Sequence, residues 1–244
     1  MVDFKRKIIN RIIIIATLAF TLLVYTKIKY PFLVSAETEG TTKQKIILID
    51  PGHGGYDGGA DGKSGLKEKD LNLSISLKLK NTLEKRGYKV IMTRDTDKAL
   101  LDIGPRKTTK KAQDIANRCK IKNESNADLF ISIHQNHFSQ SKYYGAQVWY
   151  SSNKQSLSLA HIVQENLKKD LKHDNKRVEK HAKDDYRILK CNDVMPSVLV
   201  ECGFLSNYEE ESRLKDEDYQ EKIADSIAKS IISYFEMQQT FNSM

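Results

Sequence analysis

The sequence is poor in several features that would place it in other classes of protein. It has three cysteines in 244 residues, at 119, 191 and 202, and none stands at the short spacing of a cysteine metal site. No internal repeat is present. No apolar run reaches the ~20 residues needed to span a bilayer as a helix. Net positive charge is small outside the N-terminus. Residues 1–30 hold six Lys/Arg and one Asp, and so contribute +5 of the net +8, leaving only +3 for the rest. A nucleic-acid-binding role needs a basic stripe on the fold itself, so no nucleic-acid partner is expected. Lys168 to Lys183 gathers seven Lys/Arg, which reads as a solvated face.

The basic N-terminus has its own grammar. Lys5, Arg6, Lys7 and Arg11 precede an apolar stretch from Ile12 to Tyr25, and small residues Val34-Ser35-Ala36 follow. This is the pattern of an export signal. Lys27 and Lys29, with the partly apolar Ile28 to Val34, leave an uncleaved signal anchor as the alternative. Either way the segment engages the membrane or the export machinery, and the bulk of the chain is expected outside the cytoplasm. The expected divisions are 1–36 export segment, 37–44 linker, 45–237 folded domain and 238–244 tail. In an exported protein an odd cysteine count leaves at least one thiol unpaired. All three cysteines are expected as small buried hydrophobes, with a Cys191–Cys202 bridge as the alternative.

The domain reads as α/β. Ile46 to Ile49 is a continuous apolar run, which suits a strand covered on both faces. Pro51 ends it, and Asp50-Pro51-Gly52-His53-Gly54-Gly55 displays a histidine on a glycine-rich loop at the strand's C-terminal edge. Ligands bind at that edge in open α/β sheets. Leu71, Leu73, Ile75, Leu77 and Leu79 alternate like a strand, yet Leu71, Ile75, Leu79 and Leu83 form an i, i+4 row before Gly87. The length and the glycine favour a helix. Tyr88–Thr93, Asp128–His134, Ala146–Tyr150, Tyr186–Leu189 and Val198–Glu201 read as strands. Pro105–Asn123, Leu157–Leu171 and Tyr219–Phe235 read as helices, and His161 as a helix-face residue.

Two histidines and two glutamates then fall at or near strand ends. His53, Glu68 and His134 make a His₂Glu set, a common ligand combination for a catalytic zinc that keeps one position open. His137, three residues beyond His134, is expected to line the cleft; it would compete for the metal only if the backbone curls there. Glu201 follows a hydrophobic run and precedes Gly203. There a partly desolvated carboxylate with a raised pKa suits proton transfer from water to a leaving nitrogen.

Four motifs carry a resemblance. Asp50-Pro51-Gly52-His53-Gly54-Gly55, Gly65-Leu66-Lys67-Glu68-Lys69, Ser132-Ile133-His134-Gln135-Asn136 and Val200-Glu201-Cys202-Gly203-Phe204-Leu205-Ser206-Asn207 stand in the order and spacing of the zinc-dependent N-acetylmuramoyl-L-alanine amidases, over roughly Lys45 to Phe235. The resemblance implies a single three-layer α/β domain with a mixed, mostly parallel sheet of about six strands and helices on both faces. It implies Zn²⁺ on His53, Glu68 and His134, with Glu201 as acid/base. The implied reaction is cleavage, in peptidoglycan, of the amide between the lactyl group of N-acetylmuramic acid and L-alanine. Within the family the chain looks most like the sporulation amidases that prepare muramic-δ-lactam in spore cortex. Asn136, Gly54, Arg187 and Lys190 are the expected substrate contacts; Lys190 stands where the family often has arginine. The segment Ala99 to Asn117 is longer than in many members and is expected to shape the cleft or bind a partner. The alternative is a non-catalytic or partner-activated wall-binding zinc domain, and an activating protein on the cell surface is a possible companion in either case.

Overall fold

The computed structural model describes residues 44–104, 108–171 and 174–242, together with Ile15, Thr17, Leu18 and Thr21. Those four residues are helical. The rest of the expected export segment and of the linker before Gln44 lies outside the described residues, as does Pro105. Among the described residues no helix is long and apolar enough to cross a membrane.

Six strands form one sheet: β1 (Ile46–Pro51), β2 (Lys89–Met92), β3 (Leu129–Asn136), β4 (Gln147–Tyr150), β5 (Lys180–His181) and β6 (Ser197–Phe204), in the order β2-β1-β3-β6-β4-β5. β2, β1, β3 and β6 run parallel. β4 is antiparallel to β6, and β5 follows β4 in parallel. The sheet is therefore mixed and mostly parallel. Successive strand residues point to opposite faces, and this sorts the core into two layers. Ile47, Ile49, Ile131, Ile133, Val198 and Val200 are buried on one side. Leu48, Phe130 and Leu199 are buried on the other.

The first face is covered by α1 (Glu68–Lys85), α3 (Ser156–Leu171) and α6 (Glu217–Asn242). In α1 the i, i+4 row wins over the alternation: Leu71, Ile75, Leu79 and Leu83 are buried, while Leu77 is 40% exposed. Ile223, Ile227 and Ile231 do the same for α6, which continues through residues 238–242. The second face is covered by α2 (Lys110–Glu124) and the one-turn α4 (Arg187–Lys190). α2 starts five residues later than the sequence suggests, where the Thr109 hydroxyl accepts from Ala112 N and caps it. α5 (Tyr208–Leu214) is capped by the Asn207 side chain.

Three expectations are corrected. Tyr186–Leu189 is not a strand: residues 187–190 form α4, because Ile188 and Leu189 turn together into the second core layer. A segment of four residues carries no period that separates the two states. Glu201 does not end its strand, since β6 continues to Phe204. The cysteine bridge is Cys119–Cys191, with Cα atoms 5.9 Å apart, and Cys202 is the buried free thiol. The partner of Cys191 sits on α2, 72 residues away in sequence, a proximity that only the packing of α2 against α4 creates.

Candidate metal centre and its cavity

His53, Glu68 and His134 arrive at one edge of the sheet from three elements. His53 lies two residues past β1, Glu68 is the first residue of α1, and His134 is near the end of β3. Their ligand atoms all lie within 4.8 Å of one another. His53 Nε2 is 3.2 Å from Glu68 Oε2, and His134 Nδ1 is 2.9 Å from Glu68 Oε1. The loop is built to allow this approach. A Cβ on Gly52 would stand 2.2 Å from the His134 ring, and one on Gly59 would stand 2.5 Å from Glu68 Oε2. His53 itself adopts φ 60°, a left-handed conformation that costs a non-glycine residue free energy.

The surroundings stabilise that conformation and fix the carboxylate. Glu68 Oε2 accepts from Ala60 N at 2.9 Å, and Oε1 accepts from Gln135 N at 3.1 Å and from Asn72 Nδ2 at 3.3 Å. Burial works against charge on Glu68, yet the hydrogen bonds and charges of His134 and His53 hold its pKa far below the usual carboxylate range. Burial likewise disfavours a charged His53, but Glu68 first and Asp57 second outweigh it and raise the pKa to about 9. Asp57 Oδ2 lies 3.0 Å from His53 Nδ1, on the side away from Glu68. A carboxylate there is the usual outer partner of a metal-bound imidazole. Two imidazoles and a carboxylate so close together, in a glycine-walled cradle, fit a divalent metal ion such as zinc.

Two arginines hold the loop from below. Arg94 donates to Pro51 O, Gly52 O and Lys69 O. Arg118 donates to Asp50 Oδ1, Asp114 Oδ2, Pro51 O and His53 O. Asp50 also accepts from Thr93 and Ser132 hydroxyls.

A cavity of about 440 Å³ opens over the centre, lined by His53, Glu68 and His134, with Glu201, Tyr186 and Arg187 among its other walls. Glu201 pairs with His134 across the β3–β6 ladder. It is 7% exposed. Burial, and then the nearby Glu68 charge, raise its pKa to about 7 against the opposing pull of His134, Tyr186 and His53. The ladder shifts register between His134 and Asn136, which turns Asn136 and His137 into the cavity wall. Lys111, Asp114 and Ile115, from the long segment before α2 ends, line it too. Of the expected substrate contacts, Asn136 and Arg187 face this cavity. Gly54 and Lys190 are not among its lining residues. Gly54 is buried in a turn paired with Asp57, and Lys190 bonds Asp184 at the exposed surface. His161 is on the surface of α3, 3.0 Å from Glu179.

The sequence from 47 to 233 matches the family model described as N-acetylmuramoyl-L-alanine amidase, Amidase_3. The chain belongs to that amidase family. Over 194 residues it is 40% identical to the germination-specific N-acetylmuramoyl-L-alanine amidase of Bacillus subtilis, covering 78% of this chain and 80% of that one. The structure of the CwlD amidase from Clostridioides difficile, in complex with the GerS lipoprotein, superposes with a TM-score of 0.76 at 46% identity. That match covers 80% of this chain and all of that one. An N-acetylmuramoyl-L-alanine amidase from Clostridium difficile 630 gives 0.69 at 31%, covering 79% and 97%. As an amidase of this family the chain is a hydrolase of peptidoglycan, and its single α/β domain is the family's fold.

Sequence reasoning overlooked Tyr186, Arg94, Arg118, Asp57 and Asn72 as site residues. Arg94 directly follows β2 and Arg118 is on α2, and a lone arginine in such a place carries no chemical signature. Asp57 was detectable as the first acid in the glycine-rich loop after the histidine motif, four residues beyond His53.

Proposed function

We propose that the chain is a zinc-dependent N-acetylmuramoyl-L-alanine amidase that acts outside the cytoplasm on spore-cortex peptidoglycan. It cleaves the amide between the lactyl group and L-alanine, the step that frees muramic acid for δ-lactam formation. The observation that carries the reading is the His53–Glu68–His134 cluster facing Glu201 within one cavity. His53, Glu68 and His134 would hold the metal, which would supply Lewis acidity to polarise the amide carbonyl and acidify water. Glu201 takes a proton from the attacking water and returns it to the departing nitrogen. A carboxyl pKa near 7 suits both transfers. Asn136 and Arg187 contact the substrate from the cavity wall.

The name of the Bacillus subtilis relative, a germination-specific amidase, supports a role in germination. The Clostridioides difficile relative, solved with a lipoprotein bound, supports an accessory protein on the cell surface. The catalytic domain starts near residue 45 and runs into α6, preceded by an export segment over 1–36 and a linker over 37–44.

The test is to incubate the zinc-loaded protein with cortex peptidoglycan and identify products by mass spectrometry, beside Glu201→Gln. Free stem peptides beginning at L-alanine, absent from the variant, are expected. Products cut within the stem peptide would make it a peptidase. Intact muropeptides despite bound zinc would make it a binder or a partner-dependent enzyme.

A further inference from the structure

The two oxygens of Glu201 have different surroundings. Oε1 accepts from the Tyr186 hydroxyl at 3.3 Å. Oε2 is buried and has no hydrogen-bond partner among the described residues. Both side chains line the cavity. We propose that Tyr186 is a positioning residue: its hydroxyl holds Oε1 of Glu201 and so fixes the orientation of the carboxyl group in the cavity wall. The inference rests on the amidase reading of Glu201.

The fold invests heavily in placing this tyrosine. Tyr186 is the N-cap residue of α4, and its ring leans on Trp149 with centroids 5.4 Å apart. α4 is joined to α2 at three points. Cys191, directly after α4, is bonded to Cys119. Lys122 Nζ donates to Ile188 O at 3.0 Å, and Asn192 Nδ2 donates to Lys122 O at 3.4 Å. Lys122 is fully buried, with its ammonium 4.5 Å from the Phe130 ring centre. Burying an ammonium is costly, and Lys122 does not line the cavity; its contact is with the backbone of α4. The same helix carries Arg118, which donates to His53 O. One helix thus braces a metal ligand on one side and the partner of the acid/base on the other. Burial and the adjacent Glu201 charge push the tyrosine pKa upward, so the hydroxyl stays a donor at any working pH.

A hydrogen bond to a charged group is worth roughly 10- to 100-fold, and 3.3 Å is long for an O–H···O bond. The low end is therefore expected. The experiment uses the zinc-loaded full chain with a soluble muropeptide, as wild type and Tyr186→Phe, each before and after reduction of Cys119–Cys191 by a phosphine, which offers zinc no thiolate ligand. Tyr186→Phe keeps the ring and should lower kcat about 10-fold, with KM and zinc affinity within about twofold of wild type. Reduction should lower kcat of the wild type and add nothing in Tyr186→Phe. A wild-type kcat in Tyr186→Phe overturns the proposal, as does an equal effect of reduction on both proteins. A second readout needs no turnover: the infrared C=O band of protonated Glu201, identified by its loss in Glu201→Gln, should rise in frequency in Tyr186→Phe. An unmoved band overturns the inference. A moved band with an inactive wild type overturns only the amidase reading.

Discussion

Replacing Arg118 by methionine should cost about 3–5 kcal/mol of stability, the range for removing one partner of a buried ion pair. The Arg118 side chain is 4% exposed and its Asp50 partner 2%. The guanidinium makes bonds of 2.6 Å to Asp50, 2.6 Å to Asp114, 2.8 Å to Pro51 O and 2.6 Å to His53 O. Methionine fills much of the same volume but supplies no donor. Asp50 is then left buried with two hydroxyl donors, His53 O loses the Arg118 donor, and Pro51 O keeps only Arg94. The assay is urea unfolding. With an m-value of roughly 2 kcal/mol/M, the midpoint should fall by about 1.5–2.5 M without a change in m. Asp50→Asn in the Arg118→Met background should then restore part of the loss, because the uncompensated charge is gone. The two substitutions should couple by about 1–3 kcal/mol. A loss below about 1 kcal/mol, or strict additivity with Asp50→Asn, would refute the idea that this pair holds the histidine loop.

Three further outcomes follow from the same contacts. Burial alone would raise the Asp50 pKa, but Arg118, Thr93, Ser132 and His134 bring it from 3.8 down to about 2. A folded pKa below the unfolded one stabilises above the unfolded value, so about 2 kcal/mol present above pH 4 should vanish between pH 4 and 2; acid unfolding of Asp50→Asn should lack that component. Gly52→Ala puts a Cβ 2.2 Å from the His134 ring, and zinc affinity, read by chelator competition, should drop at least 10-fold. Cys119→Ser with Cys191→Ser releases a loop of 72 residues and should lower stability by up to about 4 kcal/mol on the chain-entropy model, measured by urea unfolding under oxidising conditions.

The structure also shows which signals were local. The i, i+4 row of α1 was ambiguous against its own alternation, and only burial of Leu71, Ile75, Leu79 and Leu83 on a sheet face resolved it. Tyr186–Leu189 was misread because its neighbours in space, Lys122 and Cys119, lie on α2, far away in sequence. Lys190 matched a pattern by position, yet its side chain turns outward to Asp184.

The sequence by itself determined the α/β class and singled out His53, Glu68, His134 and Glu201. Those assignments rest on local properties: apolar runs, chain-breaking residues, and donor types at strand ends. Tertiary structure alone decided what surrounds them. The buried arginines, the Cys119–Cys191 bond and the Tyr186–Glu201 contact each join residues from different elements brought together by packing, and no local pattern records which partner a side chain will meet there.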